Sequence, residues 1–215
     1  MSYDFAYYLE EYLNSGVILL NLLVNSLGSL FSIALYVLSA LGFYTIAKRR
    51  GIRKAWLAWI PVVNCWLVGC ISDQYRYVVK GQIKSKRKSL LVLTIVQAVL
   101  GAAMAVVAII AGVEIVTEVM QGFGPMYAMH GLPRNLVVSL IVILSLCLPM
   151  AAVAVAKTII YYMAMYDLYT SCAPENNVAF LVLSIFFRVT EPFFVFFNRE
   201  NDKGMPPRKT EYQEA

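Results

Sequence analysis

Amide and charged side chains inside long apolar stretches are the residues of this sequence most able to do chemistry. Six of them make up a candidate intramembrane polar or ion-pair site: Asn21, Asn25, Asn64, Lys157, Arg188 and Glu191. Such groups are costly in hydrocarbon, so they usually face another helix, an opposite charge or a water-filled cavity. The set therefore predicts either helix–helix contact or a path for a solute.

Spacing favours helix–helix contact for the first pair. Asn21, Asn25, Ser29 and Ser32 recur at steps of four, four and three, which places them on one helix face. Side chains of this kind form hydrogen bonds between transmembrane helices. Lys157 lies near the inner end of its segment, where it can reach the surface or pair with an acidic side chain.

The remaining three candidates lie beside prolines. Asn64 follows Pro61 and is a candidate partner for the backbone groups that the proline leaves free. Arg188 and Glu191 are three residues apart, directly before Pro192, and are expected to pair on one helix face.

The sequence offers little for catalysis. His130 is the only histidine, and Cys65 and Cys70 are five apart, unlike the spacing of a zinc or redox pair. We therefore expect no catalytic residue, no metal and no cofactor. A Ser–Lys scheme that uses Lys157 is the one enzymatic alternative that remains.

The composition indicates that lipid surrounds much of the chain. Apolar residues make up 60% of the 215 residues and charged residues 14%, against about 45–50% and about 25% in soluble domains. Segments 17–47, 90–113 and 136–166 each exceed the roughly 20 residues that cross a bilayer. The sequence predicts an all-α, polytopic integral membrane protein with three long transmembrane helices.

Charge orients these helices. Eleven of the 18 basic residues fall between 48 and 88, and basic joints mark the cytoplasmic side. Residues 48–54 and 73–89 are expected to be cytoplasmic loops against anionic lipid headgroups, with the amino terminus outside. Nucleic-acid binding is the less favoured interpretation of the same charges.

Two shorter apolar segments, 55–72 and 178–197, are each interrupted by a proline. They predict re-entrant, interfacial or short membrane segments, and whether 178–197 spans is left open. Each follows a long span, so the chain has the plan of a possible tandem repeat. One transmembrane domain covers 1–198, and 199–215 is expected to be a flexible polar tail.

One stretch resembles a known group of proteins. Gly51, Trp56, Ala58, Ile60, Pro61 and Asn64 form a W-x-A-x-I-P-x-x-N-like motif. It is similar to a segment of small membrane proteins of clostridial-type bacteria that have no assigned activity. The resemblance implies a bacterial cytoplasmic (inner) membrane and carries no reaction with it.

Three hypotheses for function follow. The favoured one is a structural or accessory membrane component that binds lipid or partner proteins, with a membrane-protein partner or a second copy of itself as candidates. The alternatives are a small transporter or channel subunit, whose polar groups must converge on one cavity, and an intramembrane enzyme.

Overall fold

The protein is helical throughout the part that the structure describes. The computed structural model describes residues 2–83, 85–120 and 134–206, with side chains from residue 16 onward except 118–120 and 134–136. The helices are α1 (Ser2–Arg49), a 3-10 helix (Ala55–Trp59), α2 (Pro61–Lys80), α3 (Lys86–Met120), α4 (Arg134–Cys172), α5 (Asn177–Phe186) and α6 (Thr190–Phe197). These ranges contain no strand, which confirms the predicted all-α class.

Three helices are long and apolar enough to cross a membrane. The apolar lengths are Gly16–Arg49, Lys86–Thr117 and Val137–Cys172, with mean hydropathies of 1.9, 2.5 and 2.6. They confirm the three predicted spans. At one end of the molecule the helices run beyond the predicted segments, to Arg49, from Lys86 and to Cys172, because polar residues such as Asp167 and Ser171 pack inside the protein there.

The expected loop at 73–89 is wrong in most of its length. α2 continues to Lys80 and is ended by Gly81, whose left-handed φ of 63° suits a residue without a Cβ. The Asp73 carboxylate then accepts the backbone N–H groups of Lys86, at 2.9 Å, and Arg87, at 3.2 Å. These bonds satisfy two of the free N–H groups at the start of α3. The polar residues are helical because they face a buried charge rather than water.

The core lies at one end of the molecule, which we call the basic end because the basic clusters lie there. Its buried apolar side chains come from the last turns of α1 and α4, the middle of α2, the start of α3 and from α6. They include Phe43, Ile46, Leu67, Val68, Ile71, Leu90, Met165, Leu168, Tyr169 and Val195. The opposite halves of the long helices expose apolar side chains on every described turn.

The chain after α1 folds back along that helix and then returns. The Tyr36 hydroxyl donates to the Trp59 carbonyl at 2.6 Å, so the 3-10 helix ends about 20 Å back from Arg50 at 1.5 Å per residue. Pro61 occupies the first position of α2, where its missing N–H costs nothing. α2 then runs back toward the basic end, where the Gln74 amide donates to the Arg50 carbonyl at 3.0 Å.

A second helical hairpin follows α4. The Asn177 amide donates to the Thr170 hydroxyl at 2.9 Å, and the hydroxyls of Tyr169 and Ser184 lie 2.8 Å apart, so α5 runs back along α4. Residues 187–189 break the helix, and α6 turns the chain toward the basic end. With 10 and 8 residues, α5 and α6 are each too short to cross about 30 Å of hydrocarbon.

Each hairpin is held against its neighbours by a glycine contact. α6 packs on α1 at Gly42, where a Cβ would lie 2.8 Å from Val195 Cγ1. α2 packs on α3 and α4, and a Cβ on Gly69 would lie 2.6 Å from Arg87 Cα. Both distances are shorter than carbon atoms tolerate, so these helices approach closely only because glycine is present.

Gly69→Ala is expected to destabilise the protein by about 1–3 kcal/mol, because the added methyl group forces α2 and α3 apart. Gly101→Ala is the matched control, since nothing lies within 4 Å of its added Cβ. Denaturant unfolding of the purified protein in detergent measures both. Equal stabilities for the two variants would contradict the close approach.

Candidate functional site

A fully buried carboxylate lies at the basic end. Asp167 Oδ2 accepts hydrogen bonds from Ser72 Oγ at 2.6 Å, Arg76 Nε at 2.6 Å and Lys86 Nζ at 2.8 Å. Lys80 Nζ lies 3.9 Å from Oδ1. We call these five residues the Asp167 cluster. One carboxylate thus faces three cations, and the cluster connects α2, α3 and α4.

Local helix geometry brings these groups together. Ser72, Arg76 and Lys80 are spaced by four residues and therefore share one face of α2. Lys86 begins α3, and its Nζ also donates to the Met163 carbonyl at 3.0 Å. A buried charge is tolerated only when it is paired and hydrogen-bonded, so Asp167 constrains all three helices.

A second polar contact closes the basic end. Arg50 Nη2 donates to Ser171 Oγ at 2.8 Å and lies 3.2 Å from Asp202 Oδ1. Arg49 Nη2 lies 3.1 Å from Asp202 Oδ2, and the Gly204 N–H donates to the Ser171 carbonyl at 3.1 Å. These bonds hold the described start of the carboxyl-terminal segment against α1 and α4. The rest of the predicted tail, 207–215, lies outside the described residues.

Three of the predicted site residues, Asn21, Asn25 and Lys157, lie apart from the Asp167 cluster. Asn21 and Asn25 are exposed on α1, and their amides form no hydrogen bond to any described residue. Lys157 Nζ donates to Gln97 Oε1 at 3.0 Å, so its partner is an amide of α3 rather than an acid.

The expected ion pair between Arg188 and Glu191 is not formed in the described structure. Arg188 is exposed in the break before α6, whereas Glu191 is buried in its first turn and accepts a hydrogen bond from the Tyr161 hydroxyl. The helix break removes the shared face on which the pairing depends. Asn64 lies in the first turn of α2, and its buried Oδ1 has no described hydrogen-bond partner. The six candidates do not converge on one site.

Sequence reasoning missed the Asp167 cluster because it treated 73–89 as a loop and ended the third span at 166. The available signal was the recurrence of Ser72, Arg76 and Lys80 every four residues. Asp167 directly follows the predicted span 136–166 and is the partner of these residues. Because the helix continues to Cys172, Asp167 lies on the helix inside the protein rather than in a loop.

The Cys70 thiol lies beside several cations but is not activated by them. Cys70 lines a cleft of about 570 Å³ beside Arg53, Lys54 and Arg87. Burial, the largest influence, raises the pKa of the Cys70 thiol to about 11, so it is protonated at neutral pH and a weak nucleophile. No group of three or more His, Cys, Asp or Glu side chains within the described residues is arranged to hold a metal ion.

Comparison with known proteins adds no family. The chain matches no protein-family model, no curated protein and no solved structure. Function therefore has to be argued from the geometry of the chain itself.

Asp167→Asn is expected to destabilise the protein by about 3–5 kcal/mol, because it removes the carboxylate shared by the buried Lys86 and the partly buried Arg76. Glu200→Gln is the control, since Glu200 is exposed and pairs only with Arg199 at 3.5 Å. That change is expected to cost about 0–1 kcal/mol. Denaturant unfolding in one detergent compares the two, and an Asp167→Asn effect as small as the control would remove the cluster's structural role.

Proposed function

We propose that the chain is an accessory component of a bacterial cytoplasmic membrane. The outer half of α1 receives a transmembrane helix of a partner protein or of a second copy, and the basic end rests against anionic lipid headgroups. The observation that carries this proposal is the exposure of the outer half of α1.

Within the described ranges, α1 contacts the other helices only through its inner part. Every residue from 16 to 34 is exposed, and its helix contacts are with α6, the 3-10 helix and α2. The Ser29 hydroxyl already donates to the Asn25 carbonyl at 2.8 Å, and the Ser32 hydroxyl donates to the Gly28 carbonyl at 2.9 Å. The serines are thereby satisfied within the helix, whereas the two asparagine amides are not.

An unpaired amide in hydrocarbon is unfavourable by several kcal/mol. A second helix that supplies a polar partner recovers roughly 0.6–2 kcal/mol for each hydrogen bond. Gly28, on the same side of α1, has no atom within 4 Å of the position of an added Cβ, so another helix backbone can approach closely there. The face of Asn21, Asn25 and Gly28 thus fits a partner helix better than it fits lipid.

The two hairpins support this membrane placement. Both leave the basic end and return to it, so as re-entrant segments they carry no charge across the bilayer. The exposed cations described at this end include Lys48, Arg53, Lys54, Lys80, Arg87 and Lys88. On the cytoplasmic side they attract anionic lipid by roughly 1 kcal/mol each. The amino terminus is then outside, and the two long-helix-plus-hairpin units form a twofold plan.

The dispersal of the polar candidates favours an accessory role over transport. A solute path requires Asn21, Asn25, Lys157, Arg188 and Glu191 to share a cavity, and each instead faces lipid or a separate partner. The Ser–Lys enzyme scheme gains no support either, because the described partner of Lys157 is Gln97.

Site-specific photo-crosslinking in cells that naturally make the protein tests the proposal. Benzoylphenylalanine replaces Asn25 in one variant and Leu23 in another. Leu23 is equally lipid-exposed but lies on the opposite face of α1. We expect a discrete adduct at position 25 with a partner protein or a second copy, and at least about fivefold less at position 23, as for a one-sided helix contact.

Mass spectrometry of the adduct distinguishes a second copy from another protein. Adducts with lipid alone at both positions, or equal protein adducts at both, would contradict a specific helix-binding face.

A further inference from the structure

The Asp167 cluster and its neighbours carry more positive charge than their carboxylates neutralise. Asp73 of α2, which accepts the first backbone N–H groups of α3, adds one carboxylate, and Arg87, 4.0 Å from it, adds one cation. Four cations thus face two carboxylates. The side chains of Lys86 and Arg76 are 9% and 14% exposed, whereas those of Lys80 and Arg87 are 39% and 52% exposed. The excess positive charge therefore lies at the exposed edge of the cluster, where it attracts anions.

Arg76 presents unused donors to a cleft. Its Nε is bonded to Asp167, but Nη1 and Nη2 donate to no residue that the structure describes and are not buried. The side chain lines a cleft of about 440 Å³ between α2, α4 and α5, which we call the Arg76 cleft. A guanidinium held through Nε presents its two terminal nitrogens as a fork, the geometry that binds two oxygens of a phosphate.

The lining of the Arg76 cleft is amphipathic. Tyr162, Tyr166 and Thr158 supply hydroxyl groups, and Ile159, Met163 and Leu181 supply apolar walls. Because Asp167 holds Arg76 near the inner end of α4, the cation marks the inner end of the cleft. Ile159 lies about 12 Å further along α4 and is 56% exposed. One end therefore matches a phosphate, and the other matches an acyl chain.

We propose that the Arg76 cleft binds one anionic membrane phospholipid, with its phosphate on the Arg76 fork and an acyl chain along Ile159 and Leu181. This inference rests on the proposed placement of the basic end at the inner surface. It goes beyond general attraction to headgroups, because it names one site and predicts discrete stoichiometry. The lipid phosphate offsets part of the excess charge of the Asp167 cluster and connects α2 to α4 and α5.

The test measures lipid binding to the purified full chain by native mass spectrometry from detergent. Phosphatidylglycerol and phosphatidylcholine with identical acyl chains are compared, since they share a phosphate but differ in net charge. One phosphatidylglycerol is expected to remain bound, about tenfold more tightly than phosphatidylcholine, the size of one charge-assisted contact. Glycerol 3-phosphate in excess is expected to displace little of it, because it has no acyl chain.

Two substitutions locate the site without removing a partner of Asp167. Leu181→Trp fills the Arg76 cleft, and Tyr166→Phe removes one hydroxyl. Both are expected to weaken retention of phosphatidylglycerol, the first by about tenfold or more. Ile109→Trp is the matched control, since it adds comparable bulk to an exposed position of α3 outside the cleft. Its retention of phosphatidylglycerol is expected to stay within about twofold of the parent.

Equal retention of the two lipids, or equal losses in Leu181→Trp and Ile109→Trp, would overturn the proposal. Full displacement by glycerol 3-phosphate would contradict a lipid ligand and would show instead that the site binds a phosphate group without an acyl chain. The assay contains no partner protein, so a failed crosslink at position 25 and a failed lipid site are separate outcomes. Gel filtration of each variant establishes that it is folded.

Discussion

The burial of the Asp167 carboxylate is the constraint on which the rest of the basic end depends. A charge with no exposed surface must find its cations inside the protein, and it takes them from α2 and α3. α2 runs from Pro61 toward the basic end, so this requirement fixes how far the hairpin of the 3-10 helix and α2 extends along α1. Asp73 then caps α3 beside the same cluster, so one electrostatic arrangement sets the relative positions of three helices.

The second hairpin closes the same end by different means. α6 packs on the last turns of α1 through Gly42, and Arg49 and Arg50 hold Asp202. All of this polar organisation leaves the outer half of α1 without a neighbour among the residues that the structure describes. A rigid, charged base with one free transmembrane helix is the form expected of a component that presents a helix to something else. A cavity that encloses a solute would need the opposite arrangement, with polar groups brought together between the helices.

Sequence alone was sufficient for the three spans, because runs of apolar residues longer than 20 have few other physical solutions. The breaks at Pro61 and before Pro192 also follow from the sequence, since proline disfavours a continuous helix. The Asp167 cluster did not follow, because hydropathy cannot tell a solvated charged helix from one that faces a buried carboxylate. The pairing of Arg188 with Glu191 failed for a related reason, since it assumed an unbroken helix. The partner of Glu191, Tyr161, is distant in sequence, and only the tertiary fold brings the two together.

The central claim is that lipid surrounds the three long helices and that both hairpins return to one inner surface. Single cysteines placed at positions 54, 85 and 200 of a variant without the four native cysteines test it most directly. An impermeant maleimide is applied to intact spheroplasts and to inside-out vesicles. The account predicts labelling of all three positions in the vesicles only. Labelling of positions 54 and 85 from opposite faces of the membrane would contradict it.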